Sequence, residues 1–301
     1  MSTKRGLLAL VVLALVASCG SGRSEPGEGS KPVKTGTTET VVIDSRSIKL
    51  HVPRSYNPAS KVPLVVLLHG YTSNSAEAES YFKLTAESER RGFLCAMPDG
   101  TQDRRGKQYW NATEACCDFY GGGADDTGHL TRLVEKVKSG FSVDAKRVFF
   151  IGHSNGGFMS HRMACDHADV VTAIVSLAGM VTSKPEQCQP ARGVTVVQIH
   201  GTMDETISYT GGYNGGQPYP SAAETVAFWR KQNSCGDAAD ASVNPLDLER
   251  ELEGAETTVT RYRAGCRDGS RVELWSMKGA KHVPALSANF SPAIVDFLYS
   301  L

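Results

Sequence analysis

The chain has 301 residues, 41% of them hydrophobic, with 32 Lys plus Arg balanced by 32 Asp plus Glu. A net charge of zero supplies no pull toward nucleic acid or an anionic membrane surface, and neither partner is expected. The eight cysteines form no Cys-x-x-Cys and no His-Glu-x-x-His occurs, so common zinc-ligand spacings are missing and no metal is expected.

Lys4 and Arg5 precede an apolar stretch from Gly6 to Ala17, followed by Ser18-Cys19. A transmembrane helix needs about 20 apolar residues, more than this stretch offers. The pattern resembles a bacterial lipoprotein signal peptide over residues 1–18, with Cys19 as the acylated terminus of the mature chain. A plain secretory signal cut nearby and an uncleaved anchor are the alternatives. Residues 19–39 are rich in Gly, Ser, Pro, Glu, Lys and Thr and read as a flexible tether. The protein is therefore expected to be exported and lipid-anchored in the cell envelope. Residues 40–301 are enough for a single folded domain with a substantial core.

Apolar strand candidates follow at Thr40 to Asp44, Ile48 to Val52, Val62 to Leu68, Gly92 to Met97, Val148 to Ile151, Val171 to Ala178, Val194 to Ile199 and Val272 to Met277. The first two alternate as a solvent-facing hairpin does, whereas most of the later ones are nearly continuous and so buried on both faces. Leu130, Leu133, Val134 and Val137 repeat at helical spacing, Ser221-x-x-Glu224 reads as a capping box, and Ser291-Pro292 opens a final helix. Strands alternating with helices predict an α/β fold with a mostly parallel central sheet flanked by helices. A dinucleotide-binding fold competes, but no Gly-x-Gly-x-x-Gly follows an early strand.

Gly152-His153-Ser154-Asn155-Gly156 follows the buried run Val148 to Ile151 and precedes the helix-compatible Phe158, Met159, Arg162, Met163 and Cys165. A serine between glycines on a sharp strand-to-helix turn has its hydroxyl lifted out of the sheet, the arrangement of a nucleophile elbow. A serine hydroxyl needs a base, and the base needs an acid to fix its tautomer. In the chain order typical of such elbows the acid comes next. Asp204 lies just past the strand Val194 to Ile199, with Glu205 as its neighbouring alternative and Asp237 and Asp240 farther on. His282 is the only histidine after Asp204 and is the expected base, while His153 reads as packing of the elbow. Backbone N–H groups of Asn155 and Tyr71 are expected to face the oxyanion, Tyr71 because it follows the strand Val62 to Leu68.

Leu68-His69-Gly70, Met97-Pro98-Asp99-Gly100, Trp110-Asn111, Gly152-His153-Ser154-Asn155-Gly156-Gly157, His200-Gly201-Thr202-x-Asp204 and His282 together resemble the polyhydroxybutyrate depolymerase and feruloyl/acetylxylan esterase family, including its exported lipoprotein branch. The resemblance spans residues 40–301. It implies an α/β-hydrolase fold, a cofactor-free serine mechanism, the triad Ser154, Asp204 and His282, and a small-molecule or polymeric carboxylic ester as substrate. His282 departs from the family in being followed by Val283-Pro284, where relatives often carry an aromatic residue, and this bears on substrate choice. A peptidase of the same fold and a non-catalytic surface-binding protein are the rival readings.

The insertion from Thr101 to Gly128 carries Tyr109, Trp110, Phe119 and Tyr120. Tyr109, Trp110 and Tyr120 are candidates for an aromatic wall beside the nucleophile, with anchoring of a surface loop as the alternative. No apolar helical lid is visible, which disfavours a lipase. An exported chain tends to pair its cysteines. Cys235 with Cys266 is the first expected bridge and Cys165 with Cys188 the second; Cys116 and Cys117 are each expected to reach other partners, and Cys95, inside an apolar strand, to stay a buried thiol.

Overall fold

A computed structural model describes residues 33–240 and 242–301. Cys19 and the expected signal peptide lie outside the described residues. The elements are, in order, β1 (Thr37–Ile43), β2 (Arg46–Val52), β3 (Val62–Leu68), α1 (Ser75–Phe82), α2 (Leu84–Arg91), β4 (Leu94–Pro98), β5 (Thr101–Gln102), β6 (Gln108–Tyr109), α3 (Asp126–Gly140), β7 (Val143–His153), α4 (Asn155–Asp166), β8 (Ala173–Leu177), β9 (Thr195–Gly201), β10 (Gly212–Asn214), β11 (Gln217–Tyr219), α5 (Ala222–Gln232), β12 (Thr257–Tyr262), β13 (Val272–Met277) and α6 (Phe290–Tyr299).

Nine strands form one sheet in the order β1-β2-β4-β3-β7-β8-β9-β13-β12. The pairings from β4 through β3, β7, β8 and β9 to β13 are parallel. β1–β2, β2–β4 and β12–β13 are antiparallel. This is the expected mostly parallel sheet. Its continuous apolar strands divide their side chains between two cores: Leu64, Val66 and Leu68 of β3 face one, Val65 and Leu67 the other. The first core is closed by Leu130 and Leu133 of α3, Phe158 and Met159 of α4 and Trp229 of α5. Ala78 and Phe82 of α1, Leu84 of α2 and Phe290 and Ile294 of α6 close the second.

β3 and β13 have the predicted bounds. The Ser221 capping box is formed, with the Ser221 hydroxyl accepting from Glu224 N and the Glu224 carboxylate accepting from Ser221 N. β1 begins at Thr37, inside the segment expected to be tether, because the polar Thr37, Thr38 and Glu39 pair with Val52, His51 and Leu50 at the sheet edge. β12 was not expected. Its Thr-Thr-Val-Thr-Arg-Tyr sequence has little apolar signal, yet as the other edge strand it needs only Thr257 and Val259 turned inward.

Cys235 is bonded to Cys266 and Cys165 to Cys188, while Cys95 is a buried free thiol. Cys116 and Cys117 are joined to each other, contrary to the separate partners expected of them. The Cys235–Cys266 bridge spans 31 residues and ties the end of α5 to the turn before β13. Closing a loop of that size contributes about 3.5 kcal/mol in the chain-entropy relation. Cys235→Ser should lower the unfolding free energy by roughly that amount, measured in urea against the unaltered protein under non-reducing conditions.

Candidate active site

β7 ends at His153 and α4 starts at Asn155, so one residue, Ser154, makes the whole reversal, at φ 52° and ψ −119°. A non-glycine residue at positive φ is strained by roughly 1–3 kcal/mol and needs surroundings that enforce it. Here two glycines allow the close approach. A Cβ on Gly152 would lie 2.1 Å from the Gly156 carbonyl oxygen, and one on Gly156 would lie 2.2 Å from the Leu68 carbonyl oxygen.

The carboxyl ends of β7, β9 and β13 bring three predicted residues together. His282 Nε2 is 2.9 Å from Ser154 Oγ, and His282 Nδ1 is 2.7 Å from Asp204 Oδ2. The Asp204 carboxylate can only accept, so Nδ1 of His282 carries the hydrogen and Nε2 presents a lone pair to the serine hydroxyl. Burial opposes ionisation of Asp204, but hydrogen bonds from His200, His282 and Ile207 N–H more than offset it and hold this carboxyl well below the usual range. Asp204 Oδ1 also accepts from Thr206 N at 2.9 Å. The alternative acid, Glu205, is exposed; Asp237 pairs with Arg230 and Asp240 with Arg263.

The loop after β3 lies against the serine, where a Cβ on Gly70 would be 3.6 Å from Ser154 Cβ. Among the described residues the Tyr71 N–H has no hydrogen-bond partner, and the Asn155 N–H belongs to the first turn of α4, where no intrahelical acceptor is available. Both N–H groups are thus free to meet a developing negative charge. A cavity of 310 Å³ opens here, lined by Tyr71, Tyr81, Phe82, Ser154, His282 and Val283 among others.

The aromatic wall expected from the insertion is not formed by Tyr109 and Trp110. They are 2% and 0% exposed, and face the core. Trp110 N–H donates to Asn155 Oδ1 at 2.7 Å, Asn155 Nδ2 donates to Trp110 O at 2.9 Å, and the Trp110 indole donates to His69 O at 3.0 Å. The insertion therefore braces the elbow. Tyr120 lies under the Arg104 guanidinium, whose Cζ is 4.3 Å from the centre of the tyrosine ring, and is not among the cavity residues. Tyr81 and Phe82, which do line the cavity, sit on α1, a helix whose Ser-Ala-Glu-Ala-Glu-Ser sequence gives no apolar period to find it by.

His153 was expected to pack the elbow, but its Nε2–H also donates to the His282 carbonyl at 2.8 Å. Burial, and then the neighbouring His282, push its pKa down to about 4, so it is a neutral donor that fixes the backbone of the histidine loop. On the same loop, Tyr81 Oη donates to Pro284 O at 2.8 Å and Glu249 Oε1 accepts from Ala285 N at 2.9 Å.

The sequence profile described as "Putative esterase" matches residues 41–260. The chain belongs to this esterase family. It is 28% identical over 245 residues to "Feruloyl esterase B" of Piromyces equi, an alignment covering 79% of this chain but 42% of that longer protein. It is 26% identical to "Putative esterase NocK" of Nocardia uniformis subsp. tsuyamanensis, over 97% of this chain and 93% of the relative. Among solved structures, "Acetyl xylan esterase from Aspergillus awamori" superposes with a TM-score of 0.61 at 16% identity, over 88% of this chain and all of that one. That likeness, with the strand order above, gives the α/β-hydrolase fold.

Behind the elbow, His161 of α4 is 0% exposed, and burial pushes its pKa down to about 4. An unfolded histidine titrates near roughly 6.5, so the unfolded chain binds this proton more readily. The resulting stability is fully present above about pH 6.5 and is lost as pH falls toward about 4. Between about pH 7 and pH 4.5, His161→Met should lose about 2.5 kcal/mol less unfolding free energy than the unaltered protein, read from urea curves at the two pH values.

Proposed function

We propose that the protein is an exported, lipid-anchored serine esterase that hydrolyses carboxylic esters of the feruloyl- or acetyl-polysaccharide or hydroxyalkanoate type. The observation that carries the reading is the ordered contact of Ser154, His282 and Asp204 at 2.9 and 2.7 Å beside the 310 Å³ cavity. His282 Nε2 takes the serine proton as Oγ attacks the ester carbonyl carbon. The oxyanion is met by the N–H groups of Tyr71 and Asn155. His282 then gives the proton to the departing alkoxide, leaving an acyl-enzyme, and activates the water that releases the acid by the same steps in reverse. Esterases acting on feruloyl and acetylxylan substrates among the relatives support an ester substrate, and the aromatic lining by Tyr71, Tyr81 and Phe82 suits a flat acyl group.

A panel of short-chain nitrophenyl esters, methyl ferulate, acetylated xylan, hydroxybutyrate oligomers and a peptide amide tests this. Turnover of the amide alone would make the protein a peptidase, and no labelling of Ser154 by a fluorophosphonate probe would make it a binding protein. Ser154→Ala should fold normally and lose several orders of magnitude in ester hydrolysis, with His282→Ala similar and Asp204→Asn somewhat less affected. Glu205→Gln should hydrolyse esters at the unaltered rate; a large loss there would move the acid assignment.

The export half of the proposal rests on Lys4, Arg5, the apolar stretch and Cys19. Cys19→Ser should shift the protein from the membrane fraction to the soluble fraction, and intact mass should show an acylated Cys19 in the unaltered chain. An unmodified terminus elsewhere overturns it.

A further inference from the structure

Beneath the triad lies a line of buried side chains whose hydrogen bonds all run one way. The Trp229 indole of α5 can only donate, and it does so to His161 Nδ1 at 2.9 Å. His161 Nε2 therefore carries the hydrogen, and it donates to Gln198 Oε1 of β9 at 2.9 Å. The other end of Gln198 is its amide nitrogen, an orientation fixed independently because that nitrogen also donates to the Gly179 carbonyl at 2.8 Å. The amide meets His200 Nδ1 at 3.3 Å, so His200 Nδ1 is an acceptor and its hydrogen sits on Nε2. That Nε2 lies 2.7 Å from the Ile207 carbonyl and 3.1 Å from Asp204 Oδ2. Trp229, His161, Gln198 and His200 are each 0% exposed.

Packing alone does not demand this arrangement. Apolar side chains fill such positions at lower desolvation cost, and a polar line is sound only if every member is satisfied. Three elements, α4, β9 and α5, contribute to one whose last hydrogen is donated to the Ile207 carbonyl, with Asp204 Oδ2 3.1 Å from the same nitrogen. We propose that Trp229, His161, Gln198 and His200 are positioning residues for hydrolysis: together with the Ile207 carbonyl the line holds the His200 ring with its N–H on Nε2, and that N–H, beside Oδ2, helps keep Asp204 ionised and aimed at His282. The proposal rests on the reading of Asp204 as the acid of the triad.

Asp204 Oδ2 is shared by His200 and His282. Moving the His200 N–H away from that oxygen makes the oxygen more basic and strengthens its hold on His282 Nδ1–H. The other titratable groups around the pair are His153, whose ring centroid is 5.0 Å from that of His282, Tyr209, 5.8 Å edge-on to His200, and Tyr81, 5.6 Å from His153. None of these three contacts involves Gln198 or Trp229.

The test uses the full-length protein with Gln198→Leu, Trp229→Phe and His200→Gln, the last keeping a donor near the place of Nε2. Steady-state hydrolysis of nitrophenyl acetate is followed across pH, the low-field proton resonance of the His282–Asp204 hydrogen bond is recorded, and urea unfolding establishes that each variant folds. Gln198→Leu should lower kcat about tenfold with KM little changed, the scale of one lost hydrogen bond to a charged group. It should also move the acid limb of the rate profile to higher pH and shift the resonance. Trp229→Phe should do the same to a smaller extent, and His200→Gln should stay nearer the unaltered protein. If Gln198→Leu does not fold, Trp229→Phe, which keeps an aromatic ring in the site, carries the test. Folded variants with unaltered kcat, acid limb and resonance overturn the proposal, as does a fall in kcat with limb and resonance unmoved, the mark of a purely structural role. Should the unaltered protein hydrolyse no ester, the esterase reading fails separately, and the response of the resonance still decides whether the line controls Asp204.

Discussion

The turn at Ser154 is a backbone conformation that an L-residue adopts only under compulsion, and the architecture around it supplies that compulsion. β7 is held on both sides by parallel neighbours, β3 and β8, so its end cannot relax sideways. α4 must start at once to cover the sheet with Phe158 and Met159. Only a single-residue reversal satisfies both, and glycines at 152 and 156 let the helix come within van der Waals contact of the strand and of the Leu68 carbonyl. The fixed, partly accessible hydroxyl is the consequence of that geometry.

The remaining groups are brought to this point by the same sheet. Parallel strands present all their carboxyl ends along one edge, and Tyr71, Ser154, Asp204 and His282 follow β3, β7, β9 and β13 at that edge. Loops leaving such an edge are free to wander, and several are tied down. Gly100 N–H donates to His69 Nε2 at 2.9 Å, joining the loops after β3 and β4. Asn155 clamps both backbone groups of Trp110, and His153 holds the carbonyl of His282. These ties run between side chain and backbone, so they set loop positions without occupying Ser154 Oγ or the ring nitrogens of His282.

The aromatic insertion shows how the same residues serve a different purpose from the one their chemistry first suggests. Tyr109 and Trp110 look like a substrate platform because large rings near a nucleophile invite that reading. Their burial is decided by the loop's return path under Asn155, which depends on contacts separated by 45 residues along the chain. Tyr81 and Phe82 take the place beside the cavity instead, from a short helix that polar residues conceal in the sequence.

Local pattern was enough for most strands of the central sheet and for the elbow, and the chain order expected after such an elbow was enough to pick out Asp204 and His282. Continuous apolar runs can be buried only between layers, and a glycine-flanked serine after such a run has few backbone options. The pairing of Cys235 with Cys266 was also within reach of position along the chain. Other features were decided by the tertiary structure: Asp204 over the exposed Glu205, the joining of Cys116 to Cys117, the edge strand β12, and the line from Trp229 to His200. Each of these depends on which side chain a neighbouring element meets, and on whether water can reach it. The period of a sequence reports which face of an element is buried, whereas hydrogen-bond partners and solvent access are set by elements distant along the chain.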